Sequence, residues 1–150
     1  MRIYLDTSVI SAFFDHRNPE RQILTKEFFS FGELHELFIS DLTILEIEKT
    51  PDSELREKMM KFVKDRAFGI LEIDQDVHNL AMEYIKYGAV PNSYLEDAYH
   101  IAVATLSDVD YLVSWNFRHI VRMKTRAVVR MVNSLKDFRC IEIISPAELL

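Results

Sequence analysis

Short runs rich in Ile, Leu, Val, Phe and Tyr recur along the chain at Arg2–Asp6, Glu36–Ser40, Ile70–Ile73, Tyr111–Ser114 and Cys140–Ile144. They are too continuous to alternate between a dry and a wet face, so they predict strands covered on both sides. Between them the apolar spacing turns helical. Asn18-Pro19 opens one helix, with Asn as cap and Pro in the first turn. Asp41–Lys49 reads as a helical turn or two directly after the second strand. Pro51-Asp52 precedes an amphipathic stretch, Ser53–Arg66, and another runs from Asp76 to Tyr87 and stops at Gly88, a residue suited to a left-handed cap. Ser93–Ser107 and Thr125–Phe138 supply two more, the first with Ser93 and Glu96 spaced as a capping box. Pro146 opens a short terminal turn, Pro146–Leu150. Strands alternating with helices predict an α/β domain: a mostly parallel central sheet of about five short strands, flanked by helices on both faces.

Composition narrows this to one ordinary folded domain over residues 1–150, since the chain has no repeat, low-complexity tract or Gly/Ser linker. Hydrophobic residues make up 49% and charged residues 28%, with only 3 Gly, which excludes a disordered segment. No apolar run approaches the ~18 residues of a membrane span. The opening Met1–Asp6 lacks the plan of a secretory signal. A single cysteine, Cys140, excludes an internal disulfide and thiol-rich metal sites, and a cytoplasmic protein is expected. The net charge of -6 argues at first against a nucleic-acid partner. It hides an asymmetry: Arg118, Arg122, Lys124, Arg126, Arg130 and Lys136 follow Asn116 with no acid among them. Phosphate binding needs a local positive surface, not a positive total.

In open parallel sheets, sites collect beyond the C-terminal ends of the strands, so polar residues just after strands carry the chemistry. Asp6 ends the first strand and is followed by Thr7-Ser8, three capping residue types where one would serve. Glu46 sits among Leu45 and Ile47 in the segment after the second strand, with Glu48 about 200° away on a regular helix. A capping box would occupy Glu96 and leave Asp97 without a structural task, on a face shared with Tyr94, Ile101 and Ala104. Asn116 follows the fourth strand across Trp115. Asp6, Glu46 and Asn116 should face one crevice. Gathered carboxylates repel unless a cation relieves them, and hard oxygen donors favour Mg²⁺ or Mn²⁺ over zinc. Such a site suits metal-assisted hydrolysis of a phosphodiester.

Tyr4-Leu5-Asp6-Thr7-Ser8, Ile39-Ser40 running into Glu46, Asp97 to Ala104, Leu112 to Ile120 and Ile144 to Leu150 come in the order and spacing of the PIN-domain ribonucleases, which the chain resembles over almost its whole length. The resemblance implies that Asp6 and Asp97 are the principal metal ligands. It also implies that Glu46 completes the acidic pocket and orients the attacking water, and that Ser8 steadies Asp6 or a substrate phosphate. His100 would pack behind these groups rather than ligate. Arg118 and Arg122, just after the pocket, would guide the backbone of single-stranded RNA, and Phe117 or Trp115 could stack on bases, with Trp115 better suited to the core.

The family includes VapC toxins, small endoribonucleases that pair with an antitoxin and often dimerise. An antitoxin partner and a homodimer are therefore expected, with Phe28-Phe29-Ser30-Phe31 or Phe13-Phe14 as a candidate docking patch, although core packing is the commoner fate of such residues. One departure matters. Many members carry an acid where this chain has Asn116, which leaves open a PIN fold that binds nucleic acid or protein with little nuclease activity. Asp108 and Asp110 lie at the wrong end of their strand to compensate.

Overall fold

The computed structural model describes residues 1–31 and 33–150. Five strands form one sheet: β1 (Arg2–Leu5), β2 (Glu36–Ser40), β3 (Gly69–Leu71), β4 (Tyr111–Val113) and β5 (Glu142–Ile144). Their order is β3-β2-β1-β4-β5, and every pairing is parallel. Helices α1 (Thr7–Phe13), α2 (Pro19–Phe31), α3 (Asp41–Glu48), α4 (Ser53–Asp65), α5 (Gln75–Lys86), α6 (Leu95–Leu106) and α7 (Met123–Leu135) connect and cover them. The α/β architecture expected from the hydrophobic pattern is the one observed.

Side-chain alternation along the central strands divides the interior in two. Tyr4 and Leu112 enter a core built with Leu80 and Tyr84 of α5, Ile101 of α6 and Val132 of α7. Ile3, Leu5, Ile39 and Val113 point the other way, onto Val9 and Ile10 of α1, Phe28 and Phe29 of α2 and Met59 and Phe62 of α4. Because both faces are buried, the strands show no polar alternation in sequence. The first strand lies in the middle, with the chain crossing to β2 on one side and β4 on the other. Asp6 therefore leaves the sheet at the point where the winding reverses, the usual position of a site in such folds.

Local chemistry explains most element boundaries. The Asn18 side chain accepts from Arg21 N at 3.3 Å, Asp52 accepts from Glu54 N and Leu55 N at 3.0 and 3.2 Å, and Asp74 accepts from Val77 N at 2.9 Å. Gly88 adopts φ +79, and the bonds Ala89 N to Tyr84 O and Gly88 N to Ile85 O close a Schellman cap.

Several expectations need correction. The third strand ends at Leu71, because Ile73 N donates to the Asp41 carboxylate at 3.2 Å instead of to a neighbouring strand. The last strand starts at Glu142, the residue opposite Tyr111. Helix α7 ends at Leu135 rather than Phe138, since Asp137 turns left-handed (φ 59) and Phe138 N bonds back to Asn133 O. The capping box at Ser93 does not form: the turn closed by Tyr94 N to Pro91 O absorbs Ser93, and Tyr94 takes the cap position of α6 without a side-chain cap. Phe28 and Phe29 take the commoner fate of such residues and belong to the core, while Ser30 and Phe31 are exposed. Trp115 is core, as expected, its Nε1 donating to Thr25 Oγ1 at 2.8 Å. As expected, Asp108 and Asp110 stay away from the site and pair with Arg139 at the opposite end of the sheet from Asp6.

Behind the sheet, the buried Tyr84 hydroxyl donates to Asn133 Oδ1 at 2.6 Å and meets Thr105 Oγ1 at 3.0 Å, joining α5, α6 and α7. Burial pushes this phenol's pKa well above its usual value. Tyr84→Phe leaves a buried amide oxygen without its donor, so thermal or denaturant melts should show a loss of about 1–3 kcal/mol with the fold retained.

Candidate active site

Asp6 begins where β1 stops, and its backbone N–H bonds to Val113 O on the neighbouring strand. It occupies the N-cap position of α1 but makes no capping bond, so its carboxylate is committed elsewhere. Oδ1 accepts from Ser8 Oγ at 2.5 Å and Oδ2 from Ser114 Oγ at 2.7 Å. Those hydroxyls are oriented in turn by backbone donors, Trp115 N onto Ser8 Oγ and Asn116 N onto Ser114 Oγ, both at 2.9 Å. The segment after β4 thus holds the carboxylate that follows β1.

Glu46 lies on α3 after β2 and is partly buried, while Glu48 points into solvent. Its Oε1 accepts from Thr7 Oγ1 at 2.9 Å and from His100 Nε2 at 2.6 Å. The other nitrogen of His100 meets the Tyr4 hydroxyl at 2.7 Å, and Tyr4 meets Ser40 Oγ at 2.8 Å. Ser40 is itself the N-cap of α3. A continuous line of polar contacts therefore runs Ser40–Tyr4–His100–Glu46–Thr7, linking β2, β1, α6, α3 and α1 through side chains that are largely buried.

Asp97 sits in the first turn of α6, one helical position earlier than a Ser93 cap would place it. Its Oδ1 accepts from Asn116 Nδ2 at 3.3 Å, and its Oδ2 meets His119 Nδ1 at 3.0 Å. Asn116 Oδ1 accepts from His119 N at 2.9 Å, so the amide ties together both groups that hold Asp97. The ring of Tyr94 packs against His119 with centroids 3.9 Å apart.

Burial drives the electrostatics. It raises the pKa of Asp6, and the charge on Glu46 adds to it, even though His100 and two hydroxyls act the other way. It raises that of Asp97 for the same two reasons, against His100 and His119. Glu46 is also partly desolvated, yet the bond to His100 and its charge bring the carboxyl below its ordinary value. Desolvation opposes a charge on His100, but Tyr4, Glu46 and Asp6 together hold its pKa well above that of free imidazole. His100 and Glu46 thus form an ion pair, while Asp6 and Asp97 are left short of positive charge.

That imbalance and the all-oxygen donor set fit a hard divalent cation. Among the described residues no three His, Cys, Asp or Glu side chains form a ready-made metal cage. An ion held here would take one or two carboxylates directly and reach the rest through water, the usual habit of Mg²⁺.

Of the residues singled out in the sequence, Asp6, Ser8, Glu46, Asp97 and Asn116 come together at the C-terminal ends of β1, β2 and β4. Arg118 is exposed two residues beyond Asn116. Arg122 is otherwise engaged: its guanidinium donates to Thr125 Oγ1 at 2.7 Å and to Ala89 O at 3.1 Å. Sequence reasoning missed Thr7, Ser114 and His119 altogether. Thr7 and Ser114 had the strand-end signal that singled out Asp6. His119, three residues after Asn116, had none.

A family model described as the PIN domain matches residues 3–120. The chain belongs to the PIN domain family. No curated protein matches its sequence. Among solved structures, VapBC2 from Rickettsia felis bound to a DNA fragment from its promoter superposes with a TM-score of 0.61 at 11% identity, over 97% of this chain and 98% of that one. Mycobacterium tuberculosis VapC20, a sarcin-ricin loop cleaving toxin, gives a TM-score of 0.63 at 12% identity, over 78% of this chain and 92% of that one. At such identities the likeness establishes a shared fold. This PIN domain has the fold of the VapC-type toxins.

The Glu46–His100 pair carries a pH signature. His100 has its pKa raised on folding, so its stabilisation is complete below the unfolded value of ~6.5 and is lost as pH rises through the folded value. In chelator, the wild-type melting temperature should fall as pH is raised above neutral, and His100→Gln should flatten that limb. An alkaline limb of unchanged slope in the variant would exclude the ion pair.

Proposed function

We propose that this PIN domain is a Mg²⁺- or Mn²⁺-dependent endoribonuclease of the VapC kind, acting on single-stranded RNA. The observation that carries this reading is the set of carboxylates at the strand ends, two of which, Asp6 and Asp97, have pKa values raised by burial and by the charge on Glu46. The sarcin-ricin loop cleaving activity of VapC20 supports RNA as the substrate class. Asp6, Glu46 and Asp97 would hold the ion; Glu46 Oε2 makes no hydrogen bond among the described residues and is the least committed donor. When bound, the ion supplies an activated water and offsets charge developing on the phosphate.

The chain's own residues do the rest. Ser8 and Ser114 fix both oxygens of Asp6, and Thr7 with His100 fixes one oxygen of Glu46, leaving the other turned to a water or ion. His119 and Asn116 hold Asp97. Exposed Arg118, two residues beyond Asn116, offers an incoming phosphate a guanidinium with no side-chain partner among the described residues. Arg122, expected to share that task, would first have to release Ala89 and Thr125. An antitoxin partner, a homodimer and a cytoplasmic location belong to the same proposal. The R. felis VapBC2 complex supports the first. Among the described residues no helix is long and apolar enough to cross a membrane.

Asp97→Asn should lower Mn²⁺- or Mg²⁺-dependent cleavage of a single-stranded RNA by at least about a hundredfold, the upper range for losing even an outer-shell partner of a metal site. Equal activity in the two proteins would overturn the nuclease reading.

A second reading has its own observation. Asn116, where an acid often stands in the family, is fully employed as an amide, donating to Asp97 and accepting from His119 N. A PIN-fold binding module with weak turnover is consistent with that. The two readings part at Asn116→Asp, which replaces the amide donor facing Asp97 with a second carboxylate. On the nuclease reading the variant melts lower than wild type in chelator and gains more from added Mn²⁺. On the binding-module reading Mn²⁺ gives it no such recovery.

A further inference from the structure

The start of α6 breaks a local rule. Ser, Thr, Asn and Asp are strongly favoured at a helix N-cap, and Ser93 stands ready one residue earlier. The structure instead puts Tyr94 there, with no side-chain cap, inside the turn Pro91–Tyr94. Giving up a cap costs ~1 kcal/mol, and such departures collect where function overrides local preference.

The result is an aromatic ring beside the acidic cluster. One side of Tyr94 lies against His119, which is itself bonded to Asp97, so the ring is held in place. Even so, 38% of the residue stays exposed. Phe117, in the turn between Asn116 and His119, is 50% exposed and meets the buried Trp115 edge-on at 6.0 Å. Two large apolar rings thus reach solvent from the segments that hold Asp97, with the exposed Arg118 next to Phe117. Surface aromatics so placed have no core to serve, whereas a nucleobase offers each a flat apolar partner.

We propose that Tyr94 and Phe117 form a stacking platform, each taking one unpaired nucleobase of an RNA strand whose backbone crosses the acidic cluster. The inference rests on the reading of the site as RNA-directed and adds what selects the substrate. Stacking needs an exposed base face, so the platform accepts single strands and rejects duplex. It tolerates any base, because each has a π-face.

The test uses the full-length protein in chelator and a fluorescently labelled single-stranded RNA oligonucleotide. A second oligonucleotide of equal length has abasic nucleotides and hence the same phosphates. Wild type should bind the intact strand about tenfold more tightly than the abasic one. Tyr94→Leu, which still covers His119, and Phe117→Leu should each remove most of that difference, while Tyr94→Trp should retain it. Duplex RNA of the same sequence should bind like the abasic strand.

Failure of wild type to bind the intact strand would overturn the platform. So would equal affinity for intact and abasic strands, or leucine variants indistinguishable from wild type. Binding is read without metal, so the two claims separate. A base-dependent affinity lost in the leucine variants, with no Mn²⁺-dependent cleavage, keeps the platform and removes the nuclease. Cleavage with an unchanged KM in both leucine variants does the reverse.

Discussion

Like charges brought together out of water set the terms for this molecule. Parallel pairing of β1 with β2 and β4 delivers Asp6, Glu46 and the turn holding Asn116 to the same end of the sheet. Burial there strengthens every interaction between charges, repulsion included. The response is a separate set of partners for each carboxylate: hydroxyls for Asp6, an imidazole and a hydroxyl for Glu46, an imidazole and an amide for Asp97. Hydrogen bonds to the charged form lower a carboxyl pKa, but for Asp6 and Asp97 they fall short of offsetting burial. The scaffold orients these groups without neutralising them. A site left in that condition is ready for a cation.

The same arrangement explains why so many elements converge on so few side chains. Tyr4 is a core residue by burial and a site residue by its hydroxyl, which links His100 to Ser40 and thereby to the cap of α3. Disturbing that line would misplace Glu46 as well as weaken the core. The opposite end of the sheet shows the contrast. Arg2, Glu36, Asp108, Asp110 and Arg139 form exposed ion pairs there, where solvent screens charge and geometry is forgiving.

Much of this was legible in the sequence, because strands buried on both faces leave continuous apolar runs and Asn18, Asp52, Asp74 and Gly88 are strong boundary signals. Asp6 and Asn116 could be found from position alone, since a polar residue immediately after such a run has few places to go. Glu46 could not, because nothing local marks it off from Glu48; a histidine fifty-four positions away, His100, gives it its role. Asp97 has no reliable local signal either: the capping box that the Ser93–Glu96 spacing suggests does not form, and Asp97 is distinguished by Asn116 and His119, contacts made across the chain. Short-range patterns show where polar groups leave the sheet. Long-range pairing decides which of them meet.

The charge balance poses the remaining question, how an acidic protein would hold the polyanion that the proposed function requires. Net charge governs encounter at distances beyond about one Debye length, ~8 Å at physiological salt, whereas contact is governed by what lies within it. Around the site the nearest carboxylates are partly compensated by His100, and the chain from Asn116 to Lys136 contributes only basic groups. Of these, Arg122 is tied to the backbone, so fewer cations are free to meet phosphate than the sequence count suggests. With so few free guanidinium and ammonium groups, counterion release would supply a modest share of the affinity for RNA, and salt should weaken binding only gently. On the proposed reading the remainder would come from interactions that do not depend on charge, and at this site those are the exposed aromatic rings.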